Sequence, residues 1–461
     1  MEKYQGSLGV AMTGGLEEVV TPRAGAGLLV EMYRRLGMAE AARQALPRKR
    51  SAKGLRQEQM VESFILLSAL GGDCIEDMQT LREDEGLEAM LGYRVPAPET
   101  ARQWLDRFHD EGHLEDREDR PQRTLLSPRS GAVEALREPN RRAIQTYVEK
   151  AGLGGELTLD VDACLVESQK TGAKYCYEGY RAFQSLLVQW AETGLVLADE
   201  FRDGNVSAGR GVKEIVDEAY GMLPAGEWQV KVRSDSAAYQ QDVLDHWAGN
   251  GWKFAVSADM SQALRREIEA LPNDVWRMWE QERKGMLREW AEVPYVPSQR
   301  YERKGRKPYR YLAVRVRRQQ GELFEDGAVV RHFAVVSNIW DMDGEGLLRW
   351  QRGKAGTVEH LHHVLGNELA AGVYPSARHG ANAAWLRLQV LTHNLLELLK
   401  KLALPPEYGS ARPKRLRFAI FTHFGRVVRH AGQVLLKIAA IAWDKLLQLA
   451  YQRILALGPC G

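Results

Sequence analysis

Cysteine is scarce and scattered: Cys74, Cys164, Cys176 and Cys460 are the whole complement of a 461-residue chain. None forms a Cys-x-x-Cys pair, which excludes a zinc ribbon and a disulfide framework and fits a reducing cytoplasm. No apolar run is long enough to span a bilayer. The most apolar late stretch, Val434 to Leu457, is broken by Lys437, Asp444, Lys445 and Arg453, so no membrane association is expected. The opening Met1-Glu-Lys-Tyr-Gln5 lacks the apolar core of a secretory signal. A phosphate-binding loop is missing too, because Gly71-Gly72 is not followed by Lys-Ser/Thr, and nucleotide hydrolysis has no support. Nor is there a large charge imbalance: the net charge is only +2. A field depends on where charge sits, however, so local runs matter more than their sum.

With 44% hydrophobic residues, the chain can fill the two or three cores that its length implies. Residues 1–150 read as a helical region with a charged linker, for DNA binding or dimerisation. Leu28, Leu29, Met32 and Leu36, then Met60, Phe64, Leu67 and Leu70, recur at helical spacing. Val95 to Phe108 carries a start signal at Pro98 or Thr100 and directs Trp104, Leu105 and Phe108 to a core. This segment suits the second helix of a helix-turn-helix or a plain bundle helix equally. Glu115 to Arg129, rich in charge and containing Pro121 and Pro128, reads as a linker or exposed loop.

Residues 151–258 change period. Leu157, Leu159, Val161, Ala163 and Leu165 alternate with Thr158, Asp160, Asp162 and Cys164, giving a strand with two carboxylates on its less apolar face. Carboxylates are uncommon in strands, so their presence needs a reason. Phe183–Ala191 and Leu195–Phe201 meet across Glu192-Thr193-Gly194 as a hairpin. A helix from Val212 to Met222 leads to a strand, Trp228–Arg233, ending at Ser234-Asp235-Ser236. A further helix, Tyr239–Gly249, precedes the strand Trp252–Ser257. Three strands joined by short links, then two joined through helices and read as parallel, is the order of a ribonuclease H-like sheet. The fold class is therefore α/β: a ribonuclease H-like catalytic core with a β-rich insertion, preceded by an all-helical N-terminal domain and followed by a helical C-terminal region.

Asp235 stands where a parallel strand ends, the usual place for chemistry in open α/β sheets. A third acid comes from a helix around Thr357–Leu365, where Val358, Leu361, Leu365 and Leu369 form an apolar stripe and Glu359 lies on the flank. Neighbouring His362 and His363 lack the i, i+4 spacing that aims two imidazoles at one ion, and read as DNA contacts or packing. Cys164 reads as a small strand residue.

Residues 259–340 form an insertion of far more chain than a sheet-to-helix link requires, and must fold on their own. Between Arg283 and Arg318 there are 12 Lys/Arg against 3 Glu. Val314 and Val316 alternate with Arg315 and Arg317, so one strand face packs while the other presents cations. With Tyr301, Tyr309 and Tyr311 interleaved, the expected DNA contacts are Arg303, Lys304, Arg306, Lys307, Arg315 and Arg317. Trp276, Trp279 and Trp290 are assigned to the insertion's core. Residues 341–405 complete the catalytic core with Glu359, and Arg352 and Lys354 just before it join the contact set. Residues 406–461 form a basic helical region contributing Lys414, Arg415, Arg417 and Arg426.

The strings Leu159-Asp-Val-Asp-Ala163, Arg202-Asp-Gly-Asn205, Val232-Arg-Ser-Asp-Ser236 and Gln351-Arg-Gly-Lys-Ala-Gly-Thr-Val-Glu-His360 resemble the DDE transposases of bacterial insertion sequences, most closely transposase DDE domain group 1. The likeness runs from Leu70-Gly-Gly-Asp73 through Asn367-Glu-Leu-Ala-Ala-Gly372 and Asn382-Ala-Ala-Trp-Leu386 to Thr392-His-Asn-Leu395, so it covers nearly the whole chain. It implies that Asp162, Asp235 and Glu359 are the catalytic, metal-binding triad, with Asp160 the alternative for the first place. All-oxygen ligands of this kind suit Mg²⁺, with Mn²⁺ able to substitute. The resemblance further implies a double-stranded DNA substrate, comprising element ends and target, and strand cleavage followed by strand transfer by two metal ions. Holding two ends together calls for a homodimer, and the setting is a bacterial cytoplasm and nucleoid. The alternative is a transposase-derived DNA-binding protein with impaired catalysis. One departure bears on that choice: the family carries a basic residue, usually Lys, seven positions after the glutamate, and here that position is Gly366.

Overall fold

The computed structural model describes residues 4–5, 11–12, 14–15, 17–49, 53–113, 126–281, 286–295, 308–318 and 330–458. The protein is a mixed α/β structure built on one mixed ten-stranded sheet. Its strands are β1 (Gly155–Glu167), β2 (Lys174–Tyr175), β3 (Arg181–Trp190), β4 (Leu195–Asp203), β5 (Trp228–Ser234), β6 (Lys253–Ala258), β7 (Arg277–Gln281), β8 (Met286–Val293), β9 (Arg310–Arg318) and β10 (Val330–Ser337). The spatial order is β7-β8-β9-β10-β6-β5-β1-β3-β2, with β4 also paired to β3.

Every strand expected from alternation between residues 155 and 258 is present. β1, β3 and β4 are antiparallel neighbours, and Gly194 takes a positive φ of 75° in the hairpin joining β3 to β4. β1, β5 and β6 run parallel, with Val161 opposite Ser234 and Ser234 opposite Val256. The helices Val212–Tyr220 and Gln241–Gly249 make the crossovers. Strands running the same way need such long connections, and these two bury Val212, Ile215, Val216 and Val243, Leu244, Trp247 against the sheet.

The insertion forms an antiparallel meander that continues the same sheet, because β10 pairs with β6 and β9, β8 and β7 follow outward. Trp279 and Trp290 lie in a second apolar cluster with Leu312, Val314, Val316, Leu347 and Leu348, as assigned from sequence, whereas Trp276 is only partly buried. Gly344 makes room for Trp290: a Cβ there would stand 2.2 Å from the indole.

The helix His379–Leu402 is buried almost all round. Phe64 of the helix Gln57–Ala69 meets Trp385 edge-on at 6.1 Å, and Trp104 stacks on Phe64 at 5.3 Å. One continuous apolar core thus joins the N-terminal helices, the sheet and this helix. Several of its polar side chains are matched internally. Arg387 pairs with Asp199 at 3.0 Å and donates to the Val133 carbonyl, while Asn394 accepts from Val196 N–H and donates to Asn140. Breaking a buried pair such as Arg387–Asp199 typically costs about 3–5 kcal/mol. Among the described residues no helix is long and apolar enough to cross a membrane.

Two expectations at the chain ends are corrected. The C-terminal region is not wholly helical: Gly425–His430 and Gln433–Ile438 form a hairpin. Its two-residue turn, Ala431-Gly432, has φ of 48° and 76°, the backbone of a type I′ turn reached with an alanine where Asn is usual. The N-terminal region is not all-helical either. Val20–Thr21 adds a third strand to that hairpin, and Tyr4–Gln5 pairs with Ala11–Met12.

Candidate active site

Asp160 and Asp162 leave β1 on the same face, two residues apart, yet they meet different surroundings. The parallel register places Arg233 of β5 directly opposite Asp160. Arg233 Nε and Nη2 donate to the two Asp160 oxygens, both at 2.6 Å, and Thr357 Oγ1 donates to Oδ2. The third guanidinium nitrogen donates to the Trp350 carbonyl at 2.6 Å, and the Trp350 ring lies 5.3 Å from the guanidinium carbon. Gly353 permits this approach, since a Cβ there would sit 2.6 Å from Arg233 Nη1. Asp160 is 0% exposed, and its charge is fully spent inside the protein.

Asp162 is partly exposed. Lys354, from the short turn Gly353–Gly356, donates to Asp162 Oδ1 at 2.7 Å and stands 3.4 Å from Glu359 Oε1. Glu359 lies in the first turn of the helix Val358–Glu368, with its side chain 51% exposed. The partial positive charge of a helix N-terminus favours a carboxylate there. Asp235 follows the last residue of β5 and accepts from Ala237 N–H at 3.0 Å, which fixes its oxygen at the strand end. Its charge acts on both Asp162 and Lys354. Elements far apart in sequence thus bring Asp162 and Glu359 to one ammonium, with Asp235 near enough for its charge to act on it.

Burial pushes the Asp162 carboxyl above its ordinary range, Lys354 pulls it back, and Asp235 adds to the rise. Burial works against the Lys354 ammonium, but Asp162 first, then Asp235 and Glu359, hold its pKa above the usual lysine value. His362 has Nε2 3.5 Å from Asp162 Oδ2, and burial pushes its pKa down to about 4, so it is neutral at physiological pH. Burial also raises the Cys164 thiol, in keeping with a small strand residue. His363 is exposed and bonds with Asn367.

Among the described residues the side chains paired with the Lys354 ammonium are carboxylates, a set that fits a hard divalent ion. Among the described residues, the His, Cys, Asp and Glu ligand atoms that come within 4.8 Å of one another in a group of three belong to Asp73, Cys74 and Asp77. There Asp77 already accepts the backbone N–H groups of Asp73 and Cys74 as a helix cap. The triad is more open than that cluster.

The expected DNA contacts divide. Arg303, Lys304, Arg306 and Lys307 lie outside the described residues. Arg315 is turned into the fold: it pairs with Glu289 at 2.9 Å and covers the Trp276 ring at 4.3 Å. Arg317 shares Glu289 but is 45% exposed. Arg352 is exposed and paired with Glu280, Arg426 exposed and paired with Glu18. Lys414 and Arg415 are exposed beside the far end of the Glu359 helix, where Lys414 N–H donates to Glu368. Lys354 and Arg417 are inward. Lys354 is 6% exposed, and Arg417 gives its donors to the carbonyls of Ala69, Ser68 and Glu368. The pairing of Arg233 with Asp160 was missed from sequence, though both residues lay in the motif strings; only the register of β1 against β5 shows it.

The model of the family described as transposase DDE domain group 1 matches residues 6–459, and the chain belongs to that family. Its function class is accordingly DNA transposition and recombination. No curated protein matches the chain. A solved structure described as a cryo-EM structure of the piggyBac transposase synaptic complex with hairpin DNA is similar at 10% identity and a TM-score of 0.42, covering 86% of this chain and 78% of that one.

Proposed function

We propose that this chain is an active DDE transposase that binds the terminal inverted repeats of an insertion sequence, cuts the DNA strands and joins them to target DNA. The supporting observation is the meeting of Asp162 and Glu359 on one buried ammonium, with Asp235 alongside. We read the unit β4-β3-β1-β5-β6 as a ribonuclease H-like core, from its strand order and directions.

Asp162, Asp235 and Glu359 would hold the metal, Mg²⁺ by preference, with Mn²⁺ as substitute. When bound, a pair of such ions supplies charge neutralisation for in-line attack on phosphorus by water or a 3′-hydroxyl. The protein's own part is positional. Asp160 does not compete for the ion, because Arg233 and Thr357 satisfy it. Through Thr357 it also fixes the start of the Glu359 helix. Gln351 ties the preceding helix to the strand ends, donating to Ser234 O and Ser257 Oγ. Arg317, Arg352, Lys414, Arg415 and Arg426 supply exposed cations for phosphate contact, and a homodimer in the bacterial nucleoid would hold two element ends.

A second reading, a DNA-binding derivative with impaired catalysis, draws on Gly366. That glycine is not imposed by packing: a Cβ there would meet only Gly372 Cα, at 3.9 Å. Incubating the protein with DNA carrying the element's own ends, with and without Mg²⁺, decides between the two. Mg²⁺-dependent nicks at the element boundary are expected. Binding without any cleavage would establish the second reading.

A further inference from the structure

We propose that Lys354 is the resident counter-cation of the acid cluster: its ammonium keeps the place that divalent metal takes and, on metal loading, moves to a backbone phosphate of bound DNA. The inference rests on the reading of Asp162, Asp235 and Glu359 as metal-holding residues.

Lys354 bridges Asp162 at 2.7 Å and Glu359 at 3.4 Å. Other cationic groups near the cluster are spoken for. Arg233 is locked on Asp160, and His362 Nε2 stands farther from Asp162, at 3.5 Å, than the Lys354 ammonium does, at 2.7 Å. Two carboxylates on one ammonium, with the Asp235 charge acting on it as well, keep an excess of negative charge, which a divalent ion relieves better than a lysine does. The two cations cannot share the place, since like charges a few ångströms apart repel strongly in a partly buried setting.

The local chain is made for departure. Arg352, Gly353, Ala355 and Gly356 are all exposed around the inward Lys354, so its side chain can swing out without unpacking a core. A lysine ammonium on a four-carbon stem is a mobile point charge, unlike the fixed fork of Arg233. Once outside, it faces the substrate whose phosphates the same carboxylates must approach. Lys354 would therefore act as a positioning residue that keeps the acids gathered before metal arrives.

The test is Mn²⁺ binding to the full-length, DNA-free protein by titration calorimetry, comparing wild type with Lys354→Met and Lys354→Gln. The glutamine retains a donor for Asp162 and serves if the methionine variant does not fold. Removal of the competing charge should tighten Mn²⁺ binding about ten-fold. In EDTA the variants should melt several degrees below wild type, and Mn²⁺ should restore more of their stability than it adds to wild type, which a merely structural lysine would not produce. With Mn²⁺ present, the log–log salt slope for binding a blunt duplex of mixed sequence should be about one unit shallower in the variants. Unchanged or weaker Mn²⁺ binding in both variants overturns the proposal. Asp162→Asn in the Lys354→Gln background separates the two readings: if it leaves Mn²⁺ affinity unaltered, the ion is not at the triad and that assignment falls instead.

Discussion

Two aspartates on one strand face, two residues apart, are treated oppositely by the fold. Asp160 is closed in by a rigid guanidinium fork and a hydroxyl, whereas Asp162 is served by a flexible ammonium and left partly open. The difference teaches how a sheet separates structure from chemistry. An acid whose lone pairs are all matched by fixed donors can only hold the molecule together. One whose partner can leave is available to a ligand.

Substitution sharpens that contrast most. Asp162→Asn, Asp235→Asn and Glu359→Gln should each reduce strand cleavage on the order of a thousand-fold or more, as loss of a group acting in a catalytic unit does, with little change in melting temperature for the Asp235 and Glu359 variants. Asp160→Asn should instead destabilise the protein by about 3–5 kcal/mol, the cost of leaving Arg233 buried without its partner. Denaturant unfolding beside a nicking assay checks both, and a stable but inactive Asp160→Asn variant would transfer the catalytic role to Asp160.

The basic face of β9 repeats the contrast more weakly. Arg315→Ala should cost about 1–3 kcal/mol, because Glu289 is buried and loses a charged hydrogen bond. Arg317→Ala should cost about 0.5 kcal/mol or less and flatten the salt dependence of DNA binding by about one unit. Equal effects in both assays would erase the distinction.

Gly366→Lys adds a cation on the Glu359 helix, where the resemblance leads one to expect a basic residue, and should tighten binding to cleavage-ready ends roughly a few-fold while raising cleavage. Parent-like binding and cleavage in Mg²⁺ at moderate salt would show that the vacancy is already compensated.

The smallest effect is on pH. His393 donates to the Gly194 carbonyl, and burial lowers its pKa. Its folded pKa lies below the unfolded value of about 6.5, so its contribution is complete above that pH and is lost as pH falls through it. His393→Gln should flatten the acid side of the stability curve below about pH 6.5.

Much of the core was legible because alternation exposes strands and a strand end exposes Asp235. The helix-borne Glu359 followed from its apolar stripe together with the family resemblance. Periodicity could not choose between Asp160 and Asp162, which share a face and a side-chain type; the proposed choice rests on Arg233, whose pairing with Asp160 depends on inter-strand register. Basic runs place Lys354 and Arg417 among the expected phosphate contacts, yet each finds oxygen acceptors inside. The C-terminal hairpin escaped because Val427, Val428, Leu435 and Leu436 fit an apolar helix as readily as strands, and Ala431 gives no sign of its positive φ.

The continuity of the sheet has a geometrical consequence. The insertion does not hang from a tether; its strands are hydrogen-bonded, edge after edge, to those that carry the acids. β9 stands four strand spacings from β1, or about 19 Å at the usual inter-strand distance. That makes the sheet a ruler. Any ligand that reaches from the Asp162 strand to β9 is measured against that fixed distance, equal to about five or six base pairs of duplex.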